Sequence, residues 1–123
     1  MRRKILVLDS DAMWQKFCKV KFRETYGIEV VCASDARTAR EAVNVHNPGA
    51  IFLEMILPGE DGFQFLEEMK SKSWSRKIPV FVVSNLSHPA DIQNCISLGA
   101  AGYFNKKKLN RTDSLFEAVA QYI

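Results

Sequence analysis

Five short apolar runs recur along the 123 residues, and a stretch with helical periodicity separates each run from the next. Most runs are continuous rather than alternating, which is typical of strands that are covered on both faces. Strands that alternate with helices indicate a parallel sheet with right-handed crossovers. The sequence therefore predicts one α/β domain over residues 1–123, with a doubly wound sheet and helices on both faces. The predicted strands are 5–8, 30–33, 50–53, 79–83 and 101–104.

Five amphipathic stretches predict the helices, at about 11–26, 34–46, 62–72, 89–98 and from 112 or 113 onward. The first helix carries an apolar stripe of Met13, Phe17 and Val20, with Trp14 and Cys18 beside it. Ser34 is the predicted N-cap of the second helix. The residues predicted to face inward from the later helices are Ala39, Ala42, Val43, His46, Phe63, Leu66, Met69, Ile92, Cys95, Ile96, Leu115, Phe116, Val119 and Tyr122.

Composition excludes several classes of protein. The net charge of +3, from 17 basic and 14 acidic residues, is too mild to indicate direct nucleic-acid binding. Cys18, Cys32 and Cys95 lack metal-ligand spacing, so we expect buried free thiols and a reducing cytoplasm. No apolar run is long enough to span a membrane.

Polar residues follow four of the predicted strands. Asp9, Ser10 and Asp11 come after the first strand, Glu54 after the third, Ser84 after the fourth and Lys106 after the fifth. The carboxyl ends of parallel strands share one rim of the sheet, where such folds place their ligands. Carboxylates can hold a divalent cation, and a hydroxyl with an ammonium can hold a phosphoryl group.

The order of these residues and the text around them resembles the receiver (CheY-like) domain of two-component response regulators. The matching segments cover the whole chain: residues 4–9, 57–63, 78–80 and 98–100, followed by Tyr103 and Lys106. The resemblance implies a flavodoxin-like fold with strand order 2-1-3-4-5. It also implies a role in phosphorelay signal transduction.

The resemblance implies a role for each residue of the rim. Glu54 falls at the phosphoacceptor position, and Asp9, Ser10 and Asp11 fall in the acidic pocket. Ser84 and Tyr103 match the switch hydroxyl and the aromatic whose rotation reports the active state. Lys106 matches the phosphate-contacting lysine. Magnesium would be held weakly by Asp9, Glu54 and the backbone carbonyl of Ile56.

Three departures from the family pattern predict a degenerate pseudo-receiver with no catalytic residues. Glu54 replaces aspartate, which moves the nucleophile by roughly 1.5 Å, and misplacements of about 1 Å can cost a hundredfold in rate. Ser10 replaces the second acid, which weakens a magnesium site unless Asp11 compensates. Lys107 replaces a proline with a cis bond; a cis bond before a non-proline costs about 2.5–4 kcal/mol, so we expect trans. Two roles for Glu54 remain open: it pairs with Lys106 and leaves the site neutral without phosphate, or it only fills the pocket.

The resulting hypothesis is a protein-interaction module that works without phosphorylation, and two alternatives remain open. The partners would be a histidine kinase, an output protein or a second copy, which would contact helix 4, strand 5 and helix 5. One alternative is a receiver that is still phosphorylated on Glu54. The other is a phosphatase resembling haloacid dehalogenases, in which Asp9 is the nucleophile, Asp11 the acid and Ser84 and Lys106 the phosphate contacts.

Overall fold

The structure is a computed structural model that describes residues 4–109 and 113–123. Within these residues, five strands alternate with five α-helices. The strands are β1 Lys4–Leu8, β2 Glu29–Ala33, β3 Ala50–Leu53, β4 Val80–Ser84 and β5 Gly102–Asn105. The helices are α1 Ala12–Tyr26, α2 Ala36–His46, α3 Gly62–Ser71, α4 Pro89–Ser97 and α5 Asp113–Val119. Each predicted strand and helix is therefore present, with bounds that differ by one or two residues at most ends.

All neighbouring strands pair in parallel, in the order β2-β1-β3-β4-β5. This is the predicted doubly wound order. Leu8 lies beside both Ala33 and Leu53, so the chain leaves β1, β2 and β3 at the same level of the sheet. That register places the residues after these strands on a common rim.

The three central strands, β1, β3 and β4, are almost entirely apolar and buried because each face of the sheet has its own core. On one face, alternate strand residues such as Leu6 and Leu53 pack against α2, α3 and α4. On the other face, Val7 and Phe52 pack against α1 and α5. A strand buried on both faces needs an apolar side chain at every position, which is the pattern observed in the sequence.

Helix α1 differs most from the prediction. Its buried residues are Cys18 and Phe22, whereas the predicted stripe of Met13, Phe17 and Val20 is exposed to solvent. The stripe prediction was wrong as a guide to the core because α1 carries apolar side chains on two opposite faces. Periodicity identifies an apolar face, but it does not indicate which of two such faces packs inward.

Three smaller predictions also need correction. The N-cap of α2 is Asp35, whose carboxylate accepts a hydrogen bond from Thr38 N at 2.8 Å; Ser34 instead accepts one from the Gln15 side chain. Ile96 and Tyr122 are exposed, because α4 buries Cys95 and the end of the chain leaves α5 for a 3-10 turn. The three cysteines are free thiols, but Cys32 is only half-buried. Thr112 lies outside the described residues.

Candidate functional site

The predicted rim residues meet at the carboxyl ends of the strands. Asp9 directly follows β1, and its N–H donates to Ala33 O at 3.0 Å. Glu54 directly follows β3, and its N–H donates to Leu8 O at 2.9 Å. Ser84 is the last residue of β4, and Lys106 follows β5. Asp9, Glu54 and Ser84 are all buried. Burial of the two carboxylates is unusual unless they have partners.

The Glu54 carboxylate has three donors on one oxygen. Its Oε2 accepts a hydrogen bond from the Ser84 hydroxyl. The same oxygen accepts one from Met55 N at 2.7 Å and a longer one from Ile56 N at 3.4 Å. The Glu54 carboxylate thus joins Ser84 at the end of β4 to the backbone of the loop that follows β3.

Lys106 forms its closest ion pair with Asp9, at 2.5 Å between Nζ and Oδ2. The Lys106 Nζ lies 3.7 Å from Glu54 Oε1 and 4.0 Å from Asp11 Oδ2. The predicted pair between Glu54 and Lys106 is present, but it is longer than the pair between Asp9 and Lys106. One ammonium therefore serves two buried carboxylates, and the site is not the neutral pair that we predicted.

Burial sets the pKa of Asp9. The low polarity around this carboxyl raises its pKa above the ordinary value of 3.8, although the hydrogen bonds from Lys106 and from Asp11 N oppose the shift. The nearby Glu54 carboxylate raises the pKa of Asp9 further. Keeping the Asp9 carboxylate ionised in this buried pocket therefore costs free energy, and the single Lys106 ammonium offsets only part of that cost.

Two α1 residues complete the wall of the site. The Trp14 ring lies beside Lys106, with 5.4 Å from Nζ to the ring centroid, which is a cation–π distance. Gln15 donates to Asp9 O at 2.5 Å and to Ser34 Oγ at 3.1 Å, which ties α1 to the ends of β1 and β2. Trp14 follows Asp11 by only three residues, so the sequence itself places it near this end of the sheet. The role of Gln15 was not, since no motif distinguishes it from other polar residues of α1.

Ser10 and Asp11 do not restore the missing acid. Ser10 is exposed, and the Asp11 side chain caps α1 by accepting hydrogen bonds from Met13 N at 3.0 Å and Trp14 N at 3.1 Å. The Asp11 carboxylate is half-exposed, and its contact with Lys106 is at the limit of an ion pair. Asp11 therefore acts chiefly as a helix cap, as acids after strands often do.

Tyr103 lies on β5 with its ring packed against the core formed with α2, α3 and α4. Its hydroxyl oxygen is buried and has no hydrogen-bond partner among the described residues. Burial raises the pKa of this phenol, and the neighbouring Cys95 raises it further. The aromatic at the predicted switch position is thus turned inward.

The loop from 54 to 61 is fixed at both ends. Ile56 and Asp61 form a backbone bridge, and Gly62 N donates to Met55 O at 3.0 Å. A Cβ on Gly62 would lie 2.5 Å from the Met55 Cα, so only glycine allows this approach. Arg40 of α2 also holds the loop, with 2.5 Å between its Nη2 and Glu60 Oε2. The backbone N–H groups that hold Glu54 are therefore well positioned.

The donor set does not suit a divalent cation in this arrangement. Both Asp9 oxygens already accept hydrogen bonds, from Asp11 N at 2.9 Å and from Lys106. The Lys106 ammonium lies within 4 Å of both Asp9 and Glu54 and already offsets part of their negative charge. Within 4–109 and 113–123, no group of three or more His, Cys, Asp or Glu is arranged to hold a metal. The predicted ligands Asp9, Glu54 and Ile56 O therefore do not fit magnesium here.

The peptide bond before Lys107 is trans, as predicted. The described part of the chain contains no cis peptide bond, so the bond between Lys106 and Lys107 is trans. Residues 106–108 form a 3-10 turn, which the Asn105 side chain caps by accepting from Lys107 N at 2.9 Å. This turn directs Lys106 inward and leaves Lys107 and Lys108 exposed.

A five-stranded parallel sheet of this order, with two carboxylates, a hydroxyl and a lysine at its rim, defines a receiver-like signalling domain. The model of the family described as response regulator receiver domain matches residues 5–120. The chain belongs to this family and thus to two-component signalling. This membership favours the receiver interpretation over the phosphatase one.

Individual relatives agree with the family. The phosphate regulon transcriptional regulatory protein PhoB of Escherichia coli strain K12 is 33% identical over 107 residues, which cover 86% of this chain and 46% of PhoB. A protein-glutamate methylesterase/protein-glutamine glutaminase of Bordetella pertussis is 32% identical over 117 residues, which cover 93% of this chain and 33% of that protein. The chain thus spans less than half the length of these curated relatives.

Solved structures show the same fold. The receiver domain of the Francisella response regulator 1452 has a TM-score of 0.84 and 27% identity, and the match covers 97% of this chain and 94% of that one. The Vibrio cholerae chemotaxis protein CheY4 has a TM-score of 0.86 at 20% identity, and the match covers both chains completely. This confirms the flavodoxin-like, CheY-like fold. Among the described residues, no helix is both long and apolar enough to cross a membrane.

Proposed function

We propose that this receiver domain is a phosphorylation-independent protein-interaction module without enzymatic activity of its own. The observation that carries the proposal is the hydrogen bond from the Ser84 hydroxyl to Glu54 Oε2. At the switch position, this hydroxyl already contacts a permanent carboxylate of the protein itself. A phosphoryl group would have to displace that contact.

Two further observations support the same state. The Tyr103 hydroxyl is buried beside the core rather than exposed. The Lys106 ammonium, which matches the phosphate contact of the family, is occupied by Asp9 at 2.5 Å. The Ser84 hydroxyl and the Lys106 ammonium thus contact groups of the protein itself, and the Tyr103 ring packs against the core. The domain would therefore present one constant surface to its partners.

The proposed partner is a histidine kinase, an output protein or a second copy of the domain, in the cytoplasm. The contact surface that we propose consists of α4, β5 and α5. In this surface Asn94 and Lys107 are exposed, while Ile92 and Phe104 are half-buried. The shape of this surface would depend neither on the protonation of a side chain nor on a bound metal.

Intact mass after incubation with acetyl phosphate and magnesium tests the proposal. We expect no adduct on the wild-type chain. The double variant Ser10→Asp, Glu54→Asp restores the acidic pair and shortens the nucleophile, so we expect it to gain the mass of one phosphoryl group. Glu67→Asp makes the same one-methylene change on the exposed face of α3 and is expected to remain unmodified.

Peptide mapping of any adduct decides between the remaining interpretations. An adduct on Glu54 of the wild-type chain would overturn the proposal and establish a conventional switch on glutamate. An adduct on Asp9 would instead support the phosphatase interpretation. If the double variant also failed to react, the substitutions at these two positions would not be what disables the site.

A further inference from the structure

A hollow of about 570 Å³ lies at the amino end of the sheet, at the rim opposite the site. This volume is within the ordinary range for ligand pockets. Pro48 and Pro79, which precede β3 and β4, are buried and form its floor. Trp74, from the loop before β4, and Tyr122, from the end of the chain, also line it. These two aromatic residues are 52% and 47% exposed, so each offers a large apolar surface to a ligand.

Contacts within the domain fix both aromatic residues of the hollow. The Tyr122 ring packs edge-on against the Phe81 ring, with 5.9 Å between the ring centroids. The loop that carries Trp74 is held from the next residue, because the buried Ser75 hydroxyl donates to Met69 O at 2.7 Å. Both aromatic residues are therefore positioned before a ligand arrives, which lowers the entropy cost of binding.

The charge beside the hollow is positive. Residues 70–77 include four basic side chains and no acidic one. Lys70 is turned toward the backbone, where its ammonium donates to two carbonyls, and Lys72 pairs with a glutamate of α3. Lys77 lines the hollow, and Arg76 is exposed next to it in the sequence. A ligand that carries carboxylates complements these two cations.

We propose that the hollow binds an extended, proline-rich segment of a partner protein with acidic residues next to its prolines. Such segments dock in grooves lined by aromatic side chains, and they leave their backbone carbonyls free to accept hydrogen bonds. Asn47 and Gln121 are exposed and line the same hollow, and their amides can donate to those carbonyls. The carboxylates of the segment would pair with Lys77. The lining residues lie outside α4, β5 and α5, so this surface goes beyond the function proposed above.

The composition of the hollow argues against other occupants. A strand of nucleic acid carries a phosphate at every nucleotide, whereas Lys77 is the one basic side chain among the described residues that line the hollow. A symmetric contact with a second copy would bring Lys77 and Arg76 of both copies together, which is unfavourable. An amphipathic helix requires a continuous apolar groove, whereas amide side chains interrupt the aromatic walls here.

The two tryptophans of the chain allow binding to be located in the wild-type protein. Trp74 lines the hollow, whereas Trp14 lies beside Lys106 at the other end of the sheet. The probe is a synthetic peptide with a Pro-Leu-Pro-Pro-Leu-Pro core followed by glutamates. Two matched probes have alanines in place of the prolines or lysines in place of the glutamates. In NMR titrations, we expect the proline–glutamate probe to shift the indole N–H resonance of Trp74 and not that of Trp14. The matched probes should bind about tenfold more weakly or less.

Two pairs of variants, measured by titration calorimetry, test the location. Trp74→Ala should weaken binding of the proline–glutamate probe by about tenfold or more, because it removes an aromatic wall. Phe17→Ala is the matched control, since it removes an exposed aromatic ring from α1 and should leave binding unchanged. Lys77→Glu should weaken binding of the glutamate probe and strengthen binding of the lysine probe, whereas Lys107→Glu, at an exposed position outside the hollow, should do neither. Circular dichroism checks that each variant is folded.

Several outcomes would overturn the proposal. No binding of the proline–glutamate probe, equal binding of the alanine probe, or an equal loss in Trp74→Ala and Phe17→Ala would each do so. Binding of single-stranded DNA but not of the probe would assign the hollow to nucleic acid. Dimerisation of the chain alone that Trp74→Ala abolishes would assign it to a second copy. None of these measurements depends on whether Glu54 accepts a phosphoryl group, so this inference and the proposed function can fail separately.

Discussion

Two ion-pair clusters share the loop from 54 to 61, and they differ in exposure and in charge balance. The site cluster is Lys106, Asp9 and Glu54, whose side chains are 11%, 4% and 7% exposed. The surface cluster joins α2, the loop and α3, and its four side chains are 26% to 49% exposed; its members are Arg40, Glu60, Glu68 and Lys72. The surface cluster is neutral, whereas the site cluster has one cation for two buried carboxylates.

Because of this difference, losing one partner of an ion pair should affect stability more in the site cluster than in the surface cluster. Removing a partner from a buried pair leaves an uncompensated charge that water cannot reach, whereas an exposed pair exchanges one screened contact for hydration. The short distances in the two clusters, 2.5 Å from Lys106 to Asp9 and 2.5 Å from Arg40 to Glu60, are therefore not a measure of their relative contribution to stability.

The largest expected effect comes from Lys106→Met. This substitution keeps most of the stem but removes the only cation within 4 Å of Asp9 and Glu54 among the described residues. We expect the free energy of unfolding to fall by about 3 kcal/mol at neutral pH, measured by urea denaturation. Lys107→Met changes the exposed neighbour and should cost less than about 0.5 kcal/mol. A similar cost for both variants would show that the site cluster behaves like a surface cluster.

A smaller effect is expected from Asp9→Asn, and it depends on pH. The native state raises the pKa of Asp9, so it retains a proton that the unfolded chain has lost. The stability of the wild type relative to Asp9→Asn should therefore fall as pH rises through the ordinary value of 3.8 and then level off. Urea denaturation at several pH values measures this difference.

Asp35→Asn provides a control of the opposite sign. The hydrogen bond from Thr38 N holds the pKa of Asp35 below its ordinary value, so its contribution is present above that value and is lost as pH falls. Asparagine also caps helices well, so α2 should remain intact. If Asp9→Asn behaved like Asp35→Asn, the pair with Lys106 would outweigh burial at Asp9.

The site shows how far the sequence could predict these contacts. The order of Asp9, Glu54, Ser84 and Lys106 at strand ends was sufficient to bring them to one rim, because the carboxyl ends of parallel strands meet there. The sequence did not determine which carboxylate Lys106 would favour. That choice depends on the direction of the Glu54 side chain, which the N–H groups of the following loop control.

The fold was also predictable from the pattern of the strands, and the main error of the prediction was confined to α1. Continuous apolar runs indicate strands covered on both faces, and all five strands are present. On α1, however, Phe17 and Phe22 belong to opposite faces that are both apolar. Which of them packs against the sheet depends on the direction in which the chain leaves Asp9, and periodicity alone contains no such information.

An effect of about 1 kcal/mol is expected from Arg40→Ala. The Arg40 Nε donates a bifurcated hydrogen bond to both carboxylate oxygens of Glu68, at 2.9 and 3.1 Å, and its Nη2 donates to Glu60. Because these side chains are partly exposed, we expect the loss to shrink at high salt, whereas the loss from Lys106→Met should not. Arg37→Ala, on the exposed side of the same helix, is the control and should have little effect. If the loss of stability in Arg40→Ala did not depend on salt, the surface cluster would behave like the buried site cluster.

The smallest effect, about 0.5 kcal/mol, is expected from Glu60→Gln, because Arg40 keeps its contact with Glu68. This substitution links the two clusters, since Glu60 lies in the loop whose N–H groups hold Glu54. If Arg40 positions the loop through Glu60, hydrogen exchange of the Met55 and Gly62 amides should speed up even though global stability barely changes. Glu67→Gln, on the exposed face of α3, should leave both amides unchanged. Unchanged exchange in Glu60→Gln would show that the backbone bridge between Ile56 and Asp61 fixes the loop without the surface cluster.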